Sequence, residues 1–247
     1  FTSPALAACH DRAIVDPCAH VCPSAAVAGE LSDKWGISAT VIPGGVDAPR
    51  FAAAAGDRRW RERLGRYVLA VGGIEPRKGS LDLLESYALL HRDAPDLRLV
   101  IAGGRTPEEH RSFRAEWERR AAVLGVEPLV LGPVAYQELP ALVAAADVFA
   151  FLPTVEGFAS AALEALAAGV PVIARDLPEF REVFGHPVRY AAEPYGFAAA
   201  MRDALARHSP AHARAGRAVA AAYSWRAAAE RHLEFYRSLP AAGAAGG

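Results

Sequence analysis

Cysteine is scarce in this sequence: three thiols among 247 residues, at Cys9, Cys18 and Cys22. They cannot build a disulfide framework, so an apolar core has to hold the fold. With His10 and His20 nearby, the Cys18-x3-Cys22 spacing could suit zinc. No second Cys or His pair follows at a finger-like distance, however, and the cysteines read as reduced thiols around a short buried strand. An excess of one charge is also missing. Lys plus Arg number 27 against 28 Asp plus Glu, a formal net charge of −1, which leaves no electrostatic footprint for nucleic acid. Long hydrophobic runs are absent too. The most apolar stretch, 139–152, is too short to span a bilayer and carries Asp147. No transmembrane segment and no secretory leader is expected, which points to the cytoplasm. The first residue is Phe1 rather than Met, so a further portion is expected upstream.

What the sequence does have is apolar material, 52% of residues, with 22% charged. That is ample for a packed core and argues against disorder. Short apolar runs alternate with helical patterns. Strands are expected at 67–71, 97–102, 129–131, 148–152 and 172–174, and helices at 81–90, 108–124, 138–146 and 159–168. Continuous apolar strands between helices imply a parallel sheet covered on both faces, a doubly wound α/β domain of the Rossmann-like kind.

The ends differ. In the first fifty residues a strand ends near Val21, Ser24 can cap a helix running to Trp35, and 37–42 reads as a strand. Too few strands lie here for a sheet of its own, so 1–50 reads as the tail of a preceding α/β domain with its joint, and 51–66 as a linker. The main domain is expected over 67–222. A last helix over 223–239, capped by Ser224, aligns Trp225, Ala228, Ala229, Leu233 and Tyr236 on one stripe. The Ala/Gly tail, 240–247, is expected to be disordered.

Two loops carry the candidate chemistry. The first is Val71-Gly72-Gly73-Ile74-Glu75-Pro76-Arg77-Lys78-Gly79. It leaves the first strand and opens a helix, where ligands of open α/β sheets bind. Glycines admit phosphate close to the backbone, the helix N-terminus attracts anions, and Arg77 and Lys78 add positive charge. Neither the dinucleotide G-x-G-x-x-G nor the Walker G-x4-G-K-[ST] pattern is met. A solvated turn with two basic residues is the competing reading.

The second loop runs from Pro153 through Glu156, Gly157, Phe158, Ala159 and Ser160 to Glu164. Gly157 permits a tight turn, and the amides of Phe158, Ala159 and Ser160 are expected as unpaired donors at a helix N-terminus. Glu156 precedes the helix and Glu164 lies about two turns inside it. Carboxylates there suit ribose and hexose hydroxyls. Ordinary surface acids are the alternative.

Taken together, these residues resemble the C-terminal domain of family-4 retaining glycosyltransferases, which have the GT-B fold of two Rossmann-like domains. That family carries a G-[RT]-x-x-x-x-K-[GN] loop followed by E-x7-E. Here Gly72 and Lys78-Gly79 precede Glu156 and Glu164, with Leu163-Glu164-Ala165 and Gly169-Val170-Pro171-Val172-Ile173-Ala174 in register. The likeness runs from about Val21 to Phe235, and Ile42-Pro43-Gly44-Gly45-Val46-Asp47 resembles the family's interdomain joint.

The resemblance implies that a nucleotide diphosphate sugar, UDP or GDP by family frequency, donates its sugar with retention to a glycan, lipid or small-molecule acceptor. Lys78 would bind the diphosphate and Glu164 the ribose hydroxyls. Glu156 would contact the transferred sugar, positioning it rather than attacking it. Gly157 to Ser160 would approach sugar and phosphate through their amides, and Val134 and Leu139 would frame the base. No cofactor and no metal is implied. Two departures stand out: Gly73 replaces the family's frequent arginine, for which Arg77 could substitute, and Ala159 replaces a glycine. A sugar-nucleotide epimerase and a non-catalytic nucleotide-sugar-binding module are the rival functions. The upstream acceptor domain is expected to supply further groups, so this chain by itself is expected to bind donor but transfer poorly.

Overall fold

The structure, a computed structural model, describes residues 3–103 and 110–240. It divides into two compact units. One takes in the chain up to Gly45 and again from Trp225 onward, and the other runs Val46–Ser224. The division falls inside the turn-rich stretch 42–47.

The first unit opens with α1 (Pro4–Val15), whose N-cap Ser3 accepts a hydrogen bond from the Leu6 amide. After β1 (Val21–Cys22) comes α2 (Ala25–Trp35), capped by Ser24 and closed by Gly36 at φ 66°. β2 (Thr40–Val41) pairs parallel with β1. The strand expected over 37–42 is therefore only two residues long, because its partner offers only two residues to pair with. Cys22 is buried, Cys9 and Cys18 are exposed, and burial pushes the Cys22 thiol up.

The second unit begins with α3 (Ala48–Ala53) and α4 (Arg59–Leu64). These occupy most of the stretch expected to be a linker. Phe51, Trp60 and Leu64 are buried in the core, so the segment is anchored by three apolar side chains that an Ala/Gly/Arg-rich composition hides. β3 (Arg66–Val71), α5 (Ser80–His91), β4 (Leu97–Ala102) and α6 (Arg111–Leu124) follow. Glu108, the expected start of α6, lies outside the described residues. Next come β5 (Leu129–Gly132), α7 (Leu139–Ala144), β6 (Val148–Phe151), α8 (Ser160–Ala168) and β7 (Val172–Arg175). Beyond β7, where the sequence pattern names no elements, lie α9 (Pro178–Phe184), β8 (Arg189–Ala191), α10 (Pro194–Arg207) and α11 (Pro210–Ala221).

The six strands are parallel, in the order β5-β4-β3-β6-β7-β8. Counted from β3 this is 3-2-1-4-5-6, the doubly wound arrangement, and the winding reverses between β3 and β6. Side chains alternate between two cores. Tyr67 and Leu69 of β3 join one with α7, α8 and α9, whereas Val68 joins the other with α5 and α10. Both faces are buried, as a parallel sheet requires. Asp147 pins the start of this central pair: its carboxylate accepts from the Tyr67 amide at 2.8 Å and from Arg61.

The last helix, α12 (Trp225–Ser238), belongs to the first unit. Only Ala228 of its expected apolar stripe is buried, and Trp225, Leu233 and Tyr236 are exposed. The tail expected to be disordered falls outside the described residues, apart from its first residue. Among the described residues, no helix is long and apolar enough to cross a membrane.

Candidate functional site

The carboxyl ends of β3 and β6 lie side by side at the point where the winding reverses, and each feeds one candidate loop. After β3, Gly72 takes φ 141°, a conformation that favours glycine. A tight turn over Pro76–Lys78 then leads through Gly79, at φ 65°, into α5. The Ser80 hydroxyl staples this turn, accepting from the Glu75 amide at 3.2 Å and donating to the Glu75 carbonyl at 3.1 Å. The Ser80 carbonyl in turn accepts from Trp117 Nε1 of α6 at 3.0 Å.

After β6, the second loop is tied to the first by its backbone: the Thr154 amide donates to the Arg77 carbonyl at 2.8 Å. Glu156 faces the first loop directly. Lys78 Nζ donates to its Oε2 at 2.5 Å, and Arg77 Nη1 lies 3.7 Å from the same oxygen. Arg77 also pairs with Glu75 at 3.0 Å. Its charge is thus shared between two carboxylates. This pairing also bears on Gly73, because a β-carbon there would meet Glu75 Oε1 at 2.6 Å. The arginine common at this position in the family could not enter unless the Glu75 carboxylate moved.

The amides expected to be free are only partly so. Ser160 donates to the Phe158 carbonyl at 3.0 Å, because the chain turns tightly as it enters α8, and its amide is already used. Those of Gly157, Phe158 and Ala159 have no protein acceptor among the described residues. Ala159, at φ −84°, is 2% exposed. Its methyl group is therefore buried in the core, and the glycine usual in the family is not needed for backbone geometry. The Phe158 ring packs 5.8 Å from that of Tyr223.

Glu164 lies within α8, half-buried among Ala162, Leu163 and Ala165, each fully buried. No hydrogen bond or ion pair engages its carboxylate among the described residues. Burial pushes it up to about 7, opposed by the charge of Arg50. Arg50, in α3, donates to the Tyr136 carbonyl and stacks 3.5 Å over the Tyr136 ring. Tyr136 lies between Val134 and Leu139, both partly buried against the same core. Val134, Leu139 and Glu164 therefore lie on one face of the sheet, and Lys78 and Glu156 lie at its switch point.

A cavity of about 20 Å3 between the loops, lined by Gly72, Gly73, Lys78, Phe151 and Pro153 among others, has room for about one water. Anything larger must lie across the open mouth. Sequence reasoning did not single out the supports of this site: Glu75, Ser80, Arg50 and Gly103. Gly103 follows β4, and a β-carbon on it would sit 2.1 Å from the Gly72 carbonyl oxygen. A glycine directly after an apolar strand is the signal that could have found it. Arg50 and Ser80 carry no such signal, because their partners are distant in sequence.

Comparison with known proteins accords with this arrangement. The family model described as glycosyl transferases group 1 matches residues 59–221. A phosphatidyl-myo-inositol mannosyltransferase of Mycobacterium tuberculosis is 30% identical over 234 residues, covering 87% of this chain and 59% of its own length. A D-inositol 3-phosphate glycosyltransferase of Kineococcus radiotolerans is 34% identical over 239 residues, covering 84% and 54%. This chain thus spans between half and two thirds of those relatives. Among solved structures, an α,α-trehalose-phosphate synthase (UDP-forming) of Burkholderia vietnamiensis superposes with TM-score 0.80 at 17% identity, over 96% of this chain and 64% of its own. Anabaena Alr3699/HepE, solved with UDP and glucose, gives TM-score 0.76 at 20% identity, over 89% and 62%. The parallel six-stranded sheet is that of GT-B glycosyltransferases, and the chain belongs to the glycosyl transferases group 1 family.

Proposed function

We propose that residues 46–224 bind the donor of a retaining glycosyltransferase, which transfers a sugar from a nucleoside diphosphate, UDP or GDP, to a glycan, lipid or small-molecule acceptor. One observation carries this reading. The half-buried, unpartnered carboxylate of Glu164 lies about one turn inside α8, closer to the helix start than the two turns the sequence implies, and the loop entering that helix carries Glu156, paired with Lys78 at the switch point of a parallel sheet. Such a carboxylate suits the two hydroxyls of a ribose.

Lys78 and the free amides of 157–159 would take up the negative charge that grows on the leaving diphosphate, which is electrostatic catalysis by preorganised donors. Glu156 would position the transferred sugar. No metal or cofactor enters this scheme, and its setting is read as cytoplasmic. The mannosyltransferase and inositol-phosphate relatives, and the neighbour holding UDP and glucose, support a sugar-nucleotide donor without specifying this one. Robust transfer is assigned to a protein of the relatives' full length, and donor binding to this chain.

Calorimetric titration of the 247-residue chain with UDP, GDP, ADP and NAD tests the reading. Saturable binding of one nucleoside diphosphate is expected, with loss on Glu164→Gln. Binding of NAD alone would overturn it. Incubation of the longer protein with donor and no acceptor separates an epimerase, which converts the donor, from a transferase, which leaves it unreacted.

A further inference from the structure

Arg175 ends β7, outside every motif that marks the donor site, yet its side chain is only 12% exposed. Its guanidinium reaches three segments. Nε donates to the Leu152 carbonyl at 3.1 Å, where the chain leaves β6 for the Glu156 loop. Nη1 donates to the Ala192 carbonyl at 3.2 Å, where the chain leaves β8. Nη2 pairs with the Asp82 carboxylate in the first turn of α5. The guanidinium also lies 5.2 Å from the Phe197 ring centroid.

Gly79 is seated against this cluster. A β-carbon at Gly79 would stand 2.2 Å from the Leu152 carbonyl oxygen and 3.0 Å from Arg175 Nη2. The Lys78–Gly79 turn and the exit of β6 are therefore pressed together, with Arg175 bonded to the exit of β6 and to Asp82, three residues beyond that turn. The Thr154 amide also bonds the Arg77 carbonyl. Bidentate and multidentate geometry of this kind belongs to arginine and not to lysine.

We propose that Arg175 is a positioning residue for the donor site, fixing the spacing between the Lys78–Gly79 turn and the Glu156 loop so that both meet one diphosphate. This rests on the donor-site reading above. Arg175 itself does not touch the donor.

The test compares the affinity of the chain for whichever of UDP and GDP it binds, and for the matching nucleoside, in the parent, Arg175→Gln, Arg175→Lys and Asp82→Ala. Thermal unfolding is followed in parallel. Arg175→Gln is expected to weaken the diphosphate by about tenfold, the size of one lost charge-assisted contact, and to leave the nucleoside unchanged. Arg175→Lys should recover part of the loss. A merely structural arginine would instead lower nucleoside and diphosphate together, in step with the unfolded fraction, and that outcome overturns the proposal. Equal diphosphate affinity in parent and Arg175→Gln overturns it as well. Should Arg175→Gln fail to fold, Asp82→Ala decides, since it frees the guanidinium from α5: selective loss of diphosphate supports the proposal and parent-like affinity overturns it. If the parent binds neither diphosphate, the donor-site reading fails first and this one with it.

Discussion

Lys78 Nζ lies 2.5 Å from Glu156 Oε2, and both side chains are about four-fifths buried, at 20% and 18% exposure. Two groups assigned to different parts of one donor, the phosphate and the sugar, are thus each other's partner. A diphosphate that binds Lys78 has to compete with the Glu156 carboxylate.

The first prediction follows from that competition. The motif alone implies that Glu156→Gln leaves free nucleoside diphosphate binding unchanged. The ion pair implies that it tightens, by up to about fivefold for a pair worth up to about 1 kcal/mol, while turnover of the longer protein falls. Lys78→Gln should weaken the same ligand by about tenfold or more, as expected when a charged hydrogen bond is lost. Calorimetry on both variants checks this; weaker binding by Glu156→Gln would contradict it.

Glu164 should make both binding and stability depend on pH. Burial holds it at about 7 in the folded chain against an ordinary 4.5. Ionised carboxylate is the better acceptor for ribose hydroxyls, so nucleoside diphosphate affinity should rise as pH passes through 7. Stability should move the other way. The folded state holds this proton more tightly than the unfolded state, so stability is greatest below 4.5 and declines as pH rises to about 7. Glu164→Gln should therefore unfold at a higher temperature than the parent near pH 8 and at the same temperature below 4.5, while losing about tenfold to a hundredfold in affinity above pH 7. Melting curves and titrations across that window provide the measurement.

Arg50 opposes the upward shift of Glu164. Arg50→Gln should move the pH midpoint of ligand binding higher and weaken binding at neutral pH by up to about fivefold, the range of a solvent-screened charge. High salt should produce the same change in the parent. A midpoint that does not move in the variant would show that the two charges are not coupled.

Gly103 should be intolerant of a methyl group. The β-carbon of Gly103→Ala would press on the Gly72 carbonyl, and overpacking against backbone costs about 1–3 kcal/mol. The expected result is a lower melting temperature together with weaker diphosphate binding, because Gly72 opens the loop proposed to hold the diphosphate. Gly125→Ala is a useful control: Gly125, unlike Gly103, has positive φ, and no atom lies near its β-carbon, so it should lose stability without losing affinity.

The sequence by itself determined the kind of sheet, the placement of its first five strands and the two loops at their ends. Apolar runs such as those around Val68, Val100 and Phe149 need cover on both faces, and motif spacing is a local property of the chain. It also placed Lys78 and Glu156 on the two loops at those strand ends and Glu164 on the helix that follows. It did not disclose α3 and α4, whose anchors Phe51, Trp60 and Leu64 stand singly among Ala, Gly and Arg. Nor did it disclose which groups neighbour one another in space. That Lys78 meets Glu156, that Arg50 lies near Glu164 across α3 and α8, and that Arg175 grips Leu152 and Asp82 were decided by tertiary structure alone. These contacts join residues 23 to 114 positions apart, and no local pattern records them. Only the winding of the sheet brings the carboxyl ends of β3, β6 and β7 together, and the pKa of Glu164 follows from the burial that packing imposes.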